Sequence, residues 1–190
     1  MAQVEELKTI QAVNQIPTSF SVTVENYRFT NYRNLPSYLF QLKIEDNPQE
    51  DNFYLIEVTY IIEIKDSLFT EKATHFSLDA NSDNELVTID HTSLKQSYLR
   101  DVNFNGATYL TEIGASSFTF NQLADIEQLT ATISVKSISE EGYQNAKTVE
   151  EFEKSDSFSS PEPISIFSNI KNGFGIFAGF TEQRIEVKLK

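Results

Sequence analysis

Most of the chain is built from short stretches in which apolar and polar residues alternate at period two, the pattern of strands that bury one face. Residues 19–25 place Phe20, Val22 and Val24 on one side. Residues 39–45 repeat this with Phe40, Leu42 and Ile44, between the turn-prone Asn34-Leu35-Pro36-Ser37 and Asp46-Asn47-Pro48. The longest alternation, 53–65, sets Tyr54, Ile56, Val58, Tyr60, Ile62 and Ile64 against Glu57, Thr59, Glu63 and Lys65. Its length predicts a strand that is bent or bulged. Shorter strands are predicted over 74–78, 86–89 and 107–113, separated by Asn, Asp and Gly clusters that favour turns. Residues 128–138 turn Leu129, Ala131, Ile133 and Val135 inward, and 183–189 close the chain with Ile185, Val187 and Leu189 inward.

One segment departs from this period. Ser139-Glu140-Glu141 joins a side-chain cap to two acids at the positive end of a helix dipole. A helix is predicted over about 139–154, with Tyr143, Ala146, Val149 and Phe152 as a narrow apolar stripe, followed by a Ser- and Pro-rich connector over 155–163. Many strands and one helix predict a mainly β fold. The expected architecture is an antiparallel β-sandwich or partly closed barrel with one late α-helix, in a single β-rich domain spanning 1–190.

Three of the six glycines fall within 173–179. Read as a strand over 173–180, this segment puts Phe174, Ile176, Ala178 and Phe180 on one face and Gly173, Gly175, Phe177 and Gly179 on the other. Glycine weakens a strand, so this face implies the close approach of another backbone, a helix or a ligand. Gly173, Gly175, Phe177 and Gly179 are therefore the candidate partner-binding or packing motif, with the helix stripe expected to rest on the glycines. A nucleotide site does not fit. The spacing is G-x-G-x-x-x-G without a surrounding βαβ unit, and no Gly-Lys-Ser/Thr follows.

Charge narrows the partners. With 28 acidic and 15 basic residues and a net charge of −13, the surface repels nucleic-acid phosphates and anionic lipid headgroups. Cysteine is absent, which removes disulfides, thiol catalysis and thiolate metal ligands. Residues 1–9 lack the apolar core of a signal peptide, and apolar runs fall far short of the ~20 residues of a membrane span.

Candidate chemistry is sparse. Asp79, Asn81, Asp83 and Asp90 echo the oxygen-ligand spacing of a calcium loop, but Asn84 stands where the turn needs glycine, which favours an ordinary acidic turn. The two histidines, His75 and His91, read as surface residues. No G-x-S-x-G nucleophile elbow occurs, and the Glu57/Glu63, Glu140/Glu141 and Glu150/Glu151 pairs belong to solvated faces. No catalytic residue, metal or cofactor is expected. Among 15 Phe and 8 Tyr, Phe177 and the Tyr27/Tyr32 pair are candidates for exposed binding aromatics.

The ending Pro163-Ile-Ser-Ile-Phe-Ser-Asn-Ile-Lys-Asn-Gly-Phe-Gly-Ile-Phe-Ala-Gly179 resembles the closing signature of the domain-of-unknown-function 4249 (DUF4249) family, exported lipoproteins of Bacteroidota. Ile44-Glu-Asp-Asn-Pro-Gln-Glu-Asp-Asn-Phe-Tyr54 resembles its acidic turn, Arg100-Asp-Val-Asn-Phe-Asn-Gly106 its central segment, and Ser137-Ile-Ser-Glu-Glu-Gly-Tyr143 its entry to the late helix. The resemblance covers roughly 38–190. It implies a protein of the outer-membrane surface serving as an accessory or ligand-capture component of a TonB-dependent transporter, with an unknown nutrient or glycan ligand. It also implies a lipidated cysteine and a further β domain that these residues do not contain, so the chain reads as the C-terminal portion of such a protein. It brings no catalytic residues. The alternative function is a carbohydrate-binding or adhesin-like surface module independent of any transporter.

Overall fold

The computed structural model describes residues 10–32, 35–49, 51–65, 67–77, 87–90, 95–100, 106–117, 125–155 and 165–190. They divide into two compact units. The first is Thr18–Ser137 with Thr181–Lys190, and the second comprises the described residues of Met1–Pro17 and Ile138–Phe180.

The first unit carries two antiparallel sheets. In one, β1 (Ser21–Tyr32), β2 (Leu35–Glu45), β8 (Thr108–Ser116) and β5 (Thr74–Ser77) lie side by side in that order. In the other, the order is β10 (Phe180–Lys188), β9 (Gln128–Ile138), β3 (Phe53–Ile64), β7 (Lys95–Arg100) and β6 (Val87–Asp90). The long strand β3 serves two neighbours along one edge. Its first half pairs Phe53–Ile56 with β7, and its second half pairs Thr59–Ile64 with β4 (Ser67–Lys72).

The inward phase read from the sequence is the core. Phe40, Leu42 and Ile44 of β2 face Tyr54, Ile56, Tyr60 and Ile62 of β3 and Leu129, Ala131, Ile133 and Val135 of β9, all fully buried. Each large side chain removed from water contributes about 1.5–3 kcal/mol, so this cluster dominates the unit's stability. A one-residue bulge between Val24 and Asn26 keeps β1 in phase, so that Tyr27 and Phe29 follow Val24 on the core side, opposite Phe40 and Tyr38. The two sheets meet along β1 and β10 through side chains instead of a ladder. Thr181 Oγ1 donates to the Thr18 carbonyl, Gln183 Nε2 to the Phe20 carbonyl and Tyr27 Oη to the Lys188 carbonyl. The result is a sandwich, not a closed barrel.

The second unit contains α1 (Glu140–Ser155), one residue later at each end than predicted. Ser139 is its cap: its Oγ accepts from the Gly142 N–H and its carbonyl from the Tyr143 N–H. The glycine-rich segment corrects the prediction. Residues 173–179 form bends and extended coil, and only Phe180 belongs to a strand. Asn172 (φ 62°) and Gly175 (φ 126°) adopt positive φ, which turns the chain where a strand would run straight.

Candidate functional site

Each glycine of the motif has its own neighbour. A Cβ on Gly179 would stand 2.9 Å from Ile16 Cγ1, 3.1 Å from Asn14 Oδ1 and 3.2 Å from Ile16 Cα, so the 14–16 backbone approaches as only glycine permits. At Gly173 the close atom is Ile170 Cγ2, 2.9 Å away, while a Cβ on Gly175 would meet Ile170 Cγ1 only at an ordinary 3.9 Å, and this position is glycine for its φ. The close approaches therefore come from the N-terminal segment and from the turn itself. The helix meets the motif at its start, where the Ser139 N–H donates to the Gly179 carbonyl and Gly142 lies against Ala178. Tyr143 is buried but Phe152, at the far end of the predicted stripe, is exposed.

Asn14 ties these pieces together. Its Oδ1 accepts the Gly179 N–H at 2.7 Å, and its Nδ2 donates to Ser139 Oγ at 2.9 Å and to Glu141 Oε2 at 2.5 Å. A second asparagine closes the turn: Asn169 Nδ2 donates to the Phe177 carbonyl and its Oδ1 accepts the Phe177 N–H. With the Gln11–Lys171 bridge, these bonds pin the base of residues 170–177. At the tip, Phe174 is 100% exposed, and Phe177 and Phe180 are each more than half exposed.

A different site lies on the outer face of the larger sheet. Side chains pointing away from the core on four adjacent strands, β10, β9, β3 and β4, line an open groove of about 290 Å³. Glu57 stands at its centre with its side chain only 11% exposed, accepting from Lys136 Nζ at 2.5 Å and Lys72 Nζ at 3.0 Å. Glu182 accepts from Arg184 at 2.9 Å and from Ser134 Oγ at 2.6 Å, and these partners hold its carboxyl below the usual range. Glu182 in turn raises the Arg184 guanidinium. Ile61 and the threonines 59, 70 and 132 complete the lining.

Sequence reading placed Glu57 and Glu63 on a solvated strand face and passed over Lys72, Lys136, Glu182 and Arg184. Their signal was present as outward-phase polar positions, but only strand order brings four separate strands into one patch. Among the described residues, no group of three or more His, Asp or Glu could hold a metal ion. Asp79, Asn81, Asp83, His91 and the side chains of Asp90, His75 and Tyr32 lie outside the described residues. Tyr27 is partly exposed, its phenol on the Lys188 carbonyl. No helix among the described residues is long and apolar enough to cross a membrane.

The sequence matches the family profile of a domain of unknown function, DUF4249, over residues 2–186. This chain belongs to the DUF4249 family. The match reaches well upstream of residue 38, where the motif resemblance begins. No curated protein and no solved structure matches the chain. In this DUF4249 protein two of the resembling segments are physical neighbours. Phe53 pairs with Arg100 across β3 and β7, with the guanidinium 5.4 Å from the ring centroid. The Asp46 carboxylate accepts from Tyr54 Oη and from the Gly106 N–H. The acidic turn and the central segment thus share one structural junction.

Proposed function

We propose that this DUF4249 chain is a non-enzymatic binding module of the bacterial cell envelope. It acts as an accessory or ligand-capture component of a TonB-dependent outer-membrane transport system and meets its protein partner through the turn at 170–180. The observation that carries the reading is Phe174, fully exposed on a turn whose base is pinned by the Asn169–Phe177 and Gln11–Lys171 bonds. An aromatic held in water on a fixed support is the kind of side chain that dominates binding when a partner pocket desolvates it. Fixing the turn beforehand also reduces the ordering cost of association.

The test is affinity capture from detergent-solubilised outer membranes, comparing the wild-type chain with Phe174→Ser. Stoichiometric recovery of a TonB-dependent transporter by the wild type, lost in the variant, is the expected result. Recovery of no transporter removes the accessory role and brings forward the second reading, a carbohydrate-binding or adhesin-like module independent of transport. The hydroxyl-lined groove on the larger sheet favours that second reading.

A further inference from the structure

We infer that residues 10–17 form the second half of the docking surface begun by the turn at 170–180, and that its occupant is a protein with an apolar cleft bordered by basic side chains. This deepens the reading of the turn as a protein contact and rests on it. Separate variants address the turn and the N-terminal segment, so the two statements can fail separately.

The two segments belong to one unit and lie against each other. A backbone bridge joins Gln11 to Lys171, and Asn14 accepts the Gly179 N–H at 2.7 Å. A Cβ on Gly173 would lie 3.8 Å from Ile10 Cγ2, and one on Gly179 would lie 2.9 Å from Ile16 Cγ1. The isoleucines therefore sit beside the glycines that precede Phe174 and Phe180 in the chain. In this one region Ile10 is 67% exposed, Val13 87% and Ile16 66%, together with the exposed Phe174, Phe177 and Phe180. Large apolar side chains gathered in water at one place mark an interaction surface, whereas scattered single ones need no account. The segment is also held in place. Asn14 spends its side chain on Gly179, Ser139 and Glu141, so the neighbouring Val13 is presented on a fixed backbone and costs little ordering on association.

Charge identifies the occupant. Neither 10–17 nor 172–180 contains a charged residue, in a chain of which 23% is charged. Depletion of charge with enrichment in aromatics is the composition of a protein interface core. Acids stand at its border: Glu141 Oε2 accepts from Asn14 Nδ2, and the adjacent Glu140 is exposed. The whole chain carries −13. Basic side chains around the partner's cleft answer this border, and they speed encounter with so acidic a molecule. The same charges disfavour the other occupants. A segment that rests on a membrane surface surrounds its apolar face with lysines and arginines, where this one has glutamates. A second copy of the chain would bring an equally acidic border to the same place.

The experiment measures the affinity of the whole chain for the transporter recovered by capture, at low and high salt. Val13→Ser and Phe174→Ser are compared with Leu68→Ser, a control at an exposed position of β4 in the other unit. Flotation with phosphatidylethanolamine vesicles and sedimentation of the chain alone test the other occupants. Val13→Ser should weaken transporter binding at least about tenfold with an unchanged melting temperature, as expected when a valine is buried on association. Leu68→Ser should stay within about twofold of the wild type, and salt should slow association. Unchanged affinity in Val13→Ser beside loss in Phe174→Ser would overturn this inference and leave the turn as the contact. Association indifferent to salt would overturn the basic border of the cleft. Vesicle binding or self-association that Val13→Ser abolishes would give the surface to lipid or to a second copy and overturn the assignment. Recovery of no transporter would instead remove the accessory role itself, and this inference with it.

Discussion

Gly106 sits so close to Pro48 that a Cβ placed on it would lie 2.4 Å from the proline Cβ and 3.0 Å from its Cα. Its φ of +74° is itself unfavourable for any other residue. The close approach lets the Gly106 N–H reach Asp46, whose other oxygen takes the phenol of the fully buried Tyr54. Gly106→Ala should therefore cost at least about 2 kcal/mol, combining backbone strain with a displaced hydrogen bond. Denaturant unfolding with an unchanged slope would report it. A loss below about 0.5 kcal/mol would mean that the proline turn yields freely.

Gly179 and Asn14 form a comparable pair in the second unit. Gly179→Ala would push against Ile16 backbone and against the Asn14 oxygen that accepts the Gly179 N–H. Asn14→Ala removes the same bond together with those to Ser139 and Glu141. Both variants should speed amide hydrogen exchange at Gly179 and Tyr143, by a local loss of about 1–3 kcal/mol, while amides of β3 and β9 keep their protection. Gly175→Ala, strained in φ but meeting only Ile170 Cγ1 at an ordinary 3.9 Å, should cost less than Gly179→Ala. The reverse order would show that conformation outweighs contact at this turn.

The contrast between segments explains what could be read in advance. The strand β9 and the later halves of β2 and β3 were legible because burying a single face imposes period two. The strand β7 was not, because Tyr98 and Leu99 are both buried and adjacent apolar residues erase the alternation. In β4 the neighbouring Leu68 and Phe69 are both exposed, which hid its outward phase. The glycine-rich segment misled in the opposite sense. Its alternation imitates a strand, but nothing in a hydrophobicity pattern encodes the positive φ of Asn172 and Gly175. The groove was invisible for a third reason: Arg184 and Lys72 become members of one site only through strand order.

The groove's ion pairs differ in burial, and stability should follow burial. Lys136 is the more enclosed of the two lysines on Glu57, with 21% of its side chain exposed against 56% for Lys72. Lys136→Met should remove the more enclosed of these two ion pairs from the partly desolvated Glu57 and cost about 1–2 kcal/mol. Lys72→Met should cost less than about 1 kcal/mol, as solvent-screened pairs do. Urea unfolding of the two variants checks the order. Equal losses would mean that Lys136 brings Glu57 no more than an ordinary surface contact.

The buried phenol of Tyr60 should make the first unit sensitive to alkali. Burial, reinforced by nearby Tyr38 and Glu71, raises its pKa well above the ordinary 10.0, and its Oη donates to the Ala115 carbonyl. The folded state thus favours the protonated phenol, whereas the unfolded chain releases the proton near pH 10. The stabilisation is complete below that point and is lost as pH climbs toward the folded value, by up to about 1.4 kcal/mol per pH unit for one proton. Tyr38 is shifted upward by burial as well, so it adds to the same slope. Tyr60→Phe should lower stability at pH 8 by about 1 kcal/mol through the lost hydrogen bond. Between pH 10 and 11.5 it should then decline more gently than the wild type, so the two curves converge. Parallel decline of both proteins would show that Tyr60 ionises no later in the fold than in the unfolded chain.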